Sequence, residues 1–386
     1  MASPSPNPLS KANTNFALAL LKKLGDNDNT TNVFYSPFSI SSALAMVMMG
    51  SRGNTSTQMS ECLKTKCLQD EVHTSFAKLL SELNKADAPF ALNVANRLFG
   101  EQSYQFVEDF LGKTEKHYSA KLESMDFVNS SEAARVHINN WVEQETQGKI
   151  KDVLAKDVVD TMTRLVLVNA IYFKGNWDKQ FKEDSTVDAP FRMNKKDTKQ
   201  VKMMNLKAKF PFTYIPAAGC QILEMPYKGK SLSMLIFLPM EIEDSTTGLE
   251  KLEKQLTYEN FTEWTCPSMM DTVEVRVMLP RFKMEEFYDL KNVLVSMGMA
   301  DAFDKAKSDF SGMSPENDLV LSKVVHKAFV EVNEEGTEAA AATAAIMMMR
   351  CLPMIEKFNA DHPFLFFIRH NPSMNILFAG RYCSPE

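Results

Sequence analysis

Apolar residues recur at helical spacing over residues 10–24, at Phe16, Leu18, Leu20, Leu21 and Leu24. Residues 39–49 continue the theme. Asn129-Ser130-Ser131 followed by Glu132 predicts a helix start, and residues 133–145 carry an amphipathic pattern that stops near Gly148. The N-terminal third therefore reads as mainly helical. From about residue 163 the pattern changes. Residues 164–173, RLVLVNAIYF, are apolar and β-branched, which predicts a strand buried on both faces. Further strands are expected over 221–227, 231–238, 273–279, 324–332, 364–368 and 375–378, with a helical piece over 289–296. Helices early and strands late predict one large α+β domain spanning residues 1–386, not alternating βαβ units.

Composition changes little in this picture. Hydrophobic residues make up 45% and charged residues 24%, an ordinary globular balance. The net charge of −6 gives no reason to expect nucleic-acid binding. No run of about 18 apolar residues predicts a membrane span. Residues 16–24 lack the basic start and small-residue cleavage site of a secretory signal. The six cysteines, Cys62, Cys67, Cys220, Cys266, Cys351 and Cys383, fit neither a compact disulfide scaffold nor a paired zinc motif. Reduced thiols in the cytoplasm are expected, with release by a signal-independent route as the alternative. No metal or other cofactor is expected.

No catalytic motif is found: neither HExxH, GxSxG, a phosphate-binding loop nor GxGxxG occurs. The six histidines are scattered, and no spacing groups one with a nucleophile. Glu143 and Glu145 read as solvated charge. No catalytic residue is assigned.

The segment 334–353, EEGTEAAAATAAIMMMRCLP, is the oddest stretch of the chain. Its alanines favour a helix, yet an alanine centre offers little apolar area for docking one, and Gly336 and Pro353 bound it. As a strand it has one face of Thr337, Ala339, Ala341, Thr343, Ala345 and Met347, without any charge. The other carries Glu338, Ala340, Ala342, Ala344, Ile346 and Met348. Small inward side chains suit a strand that must slide between two others, so the segment reads as a loop in one state and a central strand in another.

Glu334, Glu335, Gly336 and Thr337, then Glu338, Ala339, Ala340, Ala341, Ala342 and Thr343, resemble the reactive-loop hinge of inhibitory serpins. Three more stretches resemble the same family: residues 34–40, FYSPFSI; residues 167–177, LVNAIYFKGNW; and residues 361–369, DHPFLFFIR. The ending RYCSP at 381–385 is similar to the ov-serpin branch. The resemblance implies about nine helices around three β-sheets with an exposed reactive loop at about 334–353. It implies a monomeric suicide inhibitor. A protease cuts the loop, and the loop inserts into the main sheet and drags the acylated protease along. At about 3.3 Å per residue, residues 334–350 would span roughly 56 Å.

Counting seventeen residues from Glu334, the family's usual spacing, puts the scissile bond at Arg350–Cys351. An arginine there suits trypsin-like proteases, whose pocket carboxylate pairs bidentately with a guanidinium. It departs from elastase inhibitors, where a medium apolar or sulfur-bearing residue is expected. Met348, Met349 or Cys351 offers neighbouring bonds to elastase-like, chymotrypsin-like or cysteine proteases, and a non-inhibitory serpin is the remaining alternative. By resemblance, Ser36, Ser39, Asn169 and His326 form a polar shutter under the sheet. Trp177, Arg281 and Glu334 mark the breach where the loop would enter. The run Lys195, Lys196, Lys199, Lys202, Lys207 and Lys209 reads as a solvated face before a polyanion site.

Overall fold

The computed structural model describes residues 7–85, 88–316, 318–335 and 354–385. The reactive segment, including Arg350, Cys351 and the hinge from Gly336 to Thr343, lies outside these. Among the described residues there are nine α-helices and fourteen strands. Six helices come early: α1 (Pro8–Gly25), α2 (Pro37–Met49), α3 (Gly53–Cys62), α4 (Val72–Leu83), α5 (Glu108–Tyr118) and α6 (Phe127–Glu145). Three short ones follow: α7 (Glu250–Gln255), α8 (Tyr258–Trp264) and α9 (Lys291–Ser296).

The five-stranded sheet runs in the order β10 (Phe282–Asp289), β11 (Leu321–Val332), β4 (Leu165–Gly175), β2 (Phe90–Glu101), β3 (Leu122–Met125). The other sheet follows β1 (Val33–Tyr35), β14 (Asn375–Tyr382), β13 (Phe364–His370), β8 (Leu232–Pro239), β7 (Cys220–Pro226), β6 (Thr198–Ile215), β9 (Asp271–Pro280), β12 (Glu356–Asn359), with β5 (Val187–Arg192) also on β6. The expected three sheets thus resolve into one of five strands and one of nine. The nine-stranded sheet has two portions joined where the last residues of β6, Phe212–Ile215, pair with β7.

β4 is an almost unbroken buried run, as its sequence demands: Leu165 to Phe173 are all buried. It is sandwiched because α2 packs on one face while α6 covers the other. Phe38, Leu44 and Phe16 belong to the large core on the first side. Val166, Val168, Phe127 and Ile138 form the smaller core beneath α6. Burying an aliphatic or aromatic side chain contributes about 1.5–3 kcal/mol, so β4, with both faces apolar, is the strand on which the packing centres.

Two expectations are corrected. The N-terminal third also holds β2 and β3. β2 escaped notice because Asn93, Asn96 and Arg97 interrupt its apolar pattern. The sixth helix starts earlier than residue 129: Asp126 is the N-cap, its Oδ1 accepting the Asn129 N–H at 2.9 Å. Ser130, read as part of the helix start, has non-helical dihedrals (φ −142°, ψ 44°) and kinks the helix.

Candidate functional site: the centre and upper end of the five-stranded sheet

β11 and β4 are parallel neighbours at the middle of the sheet, paired from Leu321↔Leu165 to Val330↔Phe173 with a bulge between Leu321 and Lys323. β10 and β2 flank them antiparallel. The chain leaves β11 at Val332, passes Asn333, Glu334 and Glu335, and enters the alanine-rich segment. A chain that doubles back from the end of β11 runs antiparallel to β11. Since β4 is parallel to β11, the same returning chain is antiparallel to β4 as well. It would meet the better of the two strand ladders on both sides. The price of admission is the present β4–β11 ladder.

Beneath that ladder lies the polar cluster expected from Ser36, Ser39, Asn169 and His326, and the structure brings all four together. His326 and Asn169 sit opposite one another across β11 and β4. The fully buried His326 accepts the Ser36 backbone N–H at Nε2 (3.1 Å). That fixes the ring as the Nδ1–H tautomer, which donates to Asn169 Oδ1 at 2.7 Å. Asn169 Nδ2 donates to Ser39 Oγ at 2.6 Å. Ser36 caps α2: its Oγ accepts the Ser39 N–H at 3.1 Å and donates to the Leu377 carbonyl at 2.6 Å. Each polar group has a partner, so the cluster locks β4, β11, β14 and the start of α2 to one another. Burial holds the His326 imidazole far below its ordinary range, at about 3, because a buried imidazolium would be desolvated and would present a proton to the Ser36 N–H.

The upper end of the sheet holds the second expected group. Trp177, nearly buried, donates Nε1–H to the Asn333 carbonyl at 3.0 Å and stacks on Tyr227 with centroids 4.5 Å apart. Glu334 is only 5% exposed. Its Oε1 lies 3.6 Å from Arg281 Nη1, as expected, but the closer partner is Thr186, whose hydroxyl donates to it at 2.6 Å. Arg281 is 46% exposed, so that ion pair contributes about 0–1 kcal/mol. Glu335 is turned outward, 3.5 Å from Lys174 Nζ, with its N–H donated to Asn333 Oδ1 at 3.0 Å. Arg281, Lys202, Lys283, Glu331, Glu334 and Glu335 line an open cleft at this end. Thr186, Asn333 and Tyr227 were not legible in the sequence, since a threonine, an asparagine and a tyrosine in separate loops carry no spacing signal.

Four lysines of the run have partners of their own. Lys195 donates to the Glu243 carbonyl and Lys199 to that of Pro385, while Lys202 pairs with Asp188 and Lys207 with Glu274. Among the described residues no helix is long and apolar enough to cross a membrane, and no metal-holding cluster occurs.

A family model described as serpin (serine protease inhibitor) matches residues 11–385. Leukocyte elastase inhibitor of Equus caballus is 56% identical over 98% of this chain and 99% of its own length. That of Homo sapiens is 55% identical over the same shares. Among solved structures, maspin superposes with a TM-score of 0.91 at 38% identity, covering 98% of each chain. Uncleaved ovalbumin does so with 0.90 at 36% identity, covering 98% of this chain and all of its own. With a parallel β4–β11 pair at the middle of its five-stranded sheet and a family match along nearly its whole length, the chain belongs to the serpin family.

Proposed function

We propose that this protein is a single-use inhibitor of trypsin-like serine proteases, cut at Arg350–Cys351 and acting by insertion of its own loop between β4 and β11. Serine protease inhibition in general rests on the family. The observation that carries the mechanism is the parallel β4–β11 pair, whose upper end leads into the alanine-rich sequence, so that a chain returning from there would be antiparallel to both strands. The protease attacks the Arg350 carbonyl with its serine hydroxyl, the peptide bond to Cys351 breaks, and the Cys351 amine leaves with a proton. The acyl ester then tethers the protease to Arg350 while the freed loop threads into the sheet. The charge-free face from Thr337 to Met347 meets the core side without an unpaired charge, the main barrier to entry. We read the molecule as acting as a monomer, over residues 1–386 as one unit. The five unpaired thiols among the described residues support residence in a reducing cytoplasm.

A second reading has its own support. The relatives at 53–56% identity are named as elastase inhibitors, and Met348 and Met349 stand beside Arg350. An elastase-like protease would then use a bond one or two residues earlier. Incubation with trypsin and with an elastase, followed by denaturing electrophoresis and mass spectrometry of the released C-terminal peptide, separates the readings. The first expects a stable complex with trypsin, a peptide beginning at Cys351, and loss of that complex in Arg350→Ala. Equal trapping of trypsin by Arg350→Ala would refute it.

A further inference from the structure

Strand register builds an unusual charge row that ends on β12, the first strand after the reactive segment in the sequence. Lys207 of β6 lies opposite Arg276 of β9, and Arg276 lies opposite Lys357 of β12. Directly opposed residues project from the same face with Cβ atoms about 5 Å apart. That face is the outer one: Val275, Val277 and Phe358, the neighbours of opposite parity, are fully buried, while all three cations are exposed. Like charges directly opposite one another weaken a sheet, so a row of three works against the fold.

Compensation is slight. The next row sets Lys209 against Glu274, whose carboxylate turns to Lys207 at 3.3 Å. The row on the other side, Asn205, Met278 and Asn359, is neutral. One carboxylate thus serves four cations, and among the described residues Arg276 and Lys357 form no ion pair. Elsewhere on β6 the lysines are neutralised or capped, as at Lys202 and Lys199.

The position matters as much as the charge. β12 is the first strand after the reactive segment, and Lys357 follows Arg350 by seven residues, a reach of at most roughly 23 Å even when fully extended. A domain of about 200 residues has a radius of gyration of about 16 Å, so a protease seated on Arg350 overhangs this face. We propose that the Lys207–Arg276–Lys357 row is a docking surface for an acidic patch beside the target protease's active-site cleft. This rests on the reading that a protease attacks the Arg350 region. The row acts on encounter: complementary charge raises the association rate and is screened by salt. Trapping afterwards belongs to the loop.

The test compares wild type with Arg276→Gln/Lys357→Gln and Arg276→Glu/Lys357→Glu. Association rate constants are measured at low and high salt against two trypsin-like proteases, one acidic and one basic around the cleft. With the acidic protease at low salt, the glutamine pair is expected to slow association about three- to tenfold, the glutamate pair further. All three converge at high salt. The basic protease is not slowed, the number of inhibitor molecules consumed per protease stays constant, and the thermal midpoint of the glutamine pair does not fall, since repulsion is removed. Equal rates with the acidic protease would overturn the proposal, as would an equal loss with both proteases. A charge effect that appears only when a sulfated polysaccharide is added would overturn it in favour of a polyanion site. Failure of the underlying reading looks different, because wild type would then form no covalent complex with either protease.

Discussion

Acid should weaken the centre of the five-stranded sheet through one residue, His326. Its ring is fully buried, accepts the Ser36 N–H and donates to Asn169, an arrangement open only to the neutral Nδ1–H form. Burial sets its folded pKa at about 3 against 6.5 for a free imidazole. A depressed folded pKa means that the unfolded chain binds the proton first. The stability is therefore complete above about pH 6.5 and is lost as the pH falls from there towards 3. At pH 5.0 the unfolded imidazole is almost wholly protonated and the folded one almost wholly neutral. The loss is then 1.5 pH units at 1.36 kcal/mol each, about 2 kcal/mol. The variant His326→Gln retains a donor and an acceptor but cannot titrate. The assay is the first denaturant-induced transition at pH 7.5 and pH 5.0 for both proteins. Wild type should lose about 2 kcal/mol more than the variant between the two pH values. His73, held down at about 4 by burial, titrates in both proteins and cancels in the difference. Equal losses in the two proteins would refute the claim that a neutral His326 ties β11 to the start of α2.

Replacing Trp177 by Phe removes the Nε1–H donor and leaves the Asn333 carbonyl unpaired; the same transition should weaken by about 1 kcal/mol, and an unchanged midpoint would contradict that contact. Thr337→Arg sets a charge on the face proposed to enter the sheet; trypsin should then cleave the protein instead of being trapped, and an undiminished yield of complex on a denaturing gel would count against insertion. Brief alkylation of the native protein followed by peptide mapping should label Cys67 and Cys266 but spare Cys62, Cys220 and Cys383, whose thiols burial pushes up to about 12; labelling of the buried three at a similar rate would refute their placement.

The strands legible in the sequence were those whose surroundings leave no choice. β4, β8 and β13 are buried along their length, so their apolar runs are unbroken and their limits differ from expectation by only one or two residues. β6 was hidden for the opposite reason. Its outer face is lysine-rich, and the alternation of exposed Lys202, Lys207 and Lys209 with buried Val201, Met203 and Phe210 was read as a charge run. β10 lies at an edge and alternates with glutamates, which dilutes its apolar signal. Ser36, Ser39, Asn169 and His326 were grouped through resemblance, and the structure places the four in contact. Pattern alone did not group them, because residues 36, 39, 169 and 326 meet only once α2, β4 and β11 have folded. At the breach the reading found Arg281 for Glu334 but missed Thr186, the nearer partner, since a hydroxyl that caps a carboxylate across 148 residues of chain leaves no trace in local sequence.

On the proposed mechanism the intact fold withholds energy that strand insertion releases. Thermal unfolding of the protein before and after a single cut in residues 334–353 measures it directly. A central strand of about a dozen residues adds about a dozen net hydrogen bonds at ~1 kcal/mol each, and in a chain of this length each kcal/mol moves the midpoint by about 1 °C. The cut protein should therefore melt roughly 10–15 °C higher. A cut protein that melts at or below the intact midpoint would contradict the account.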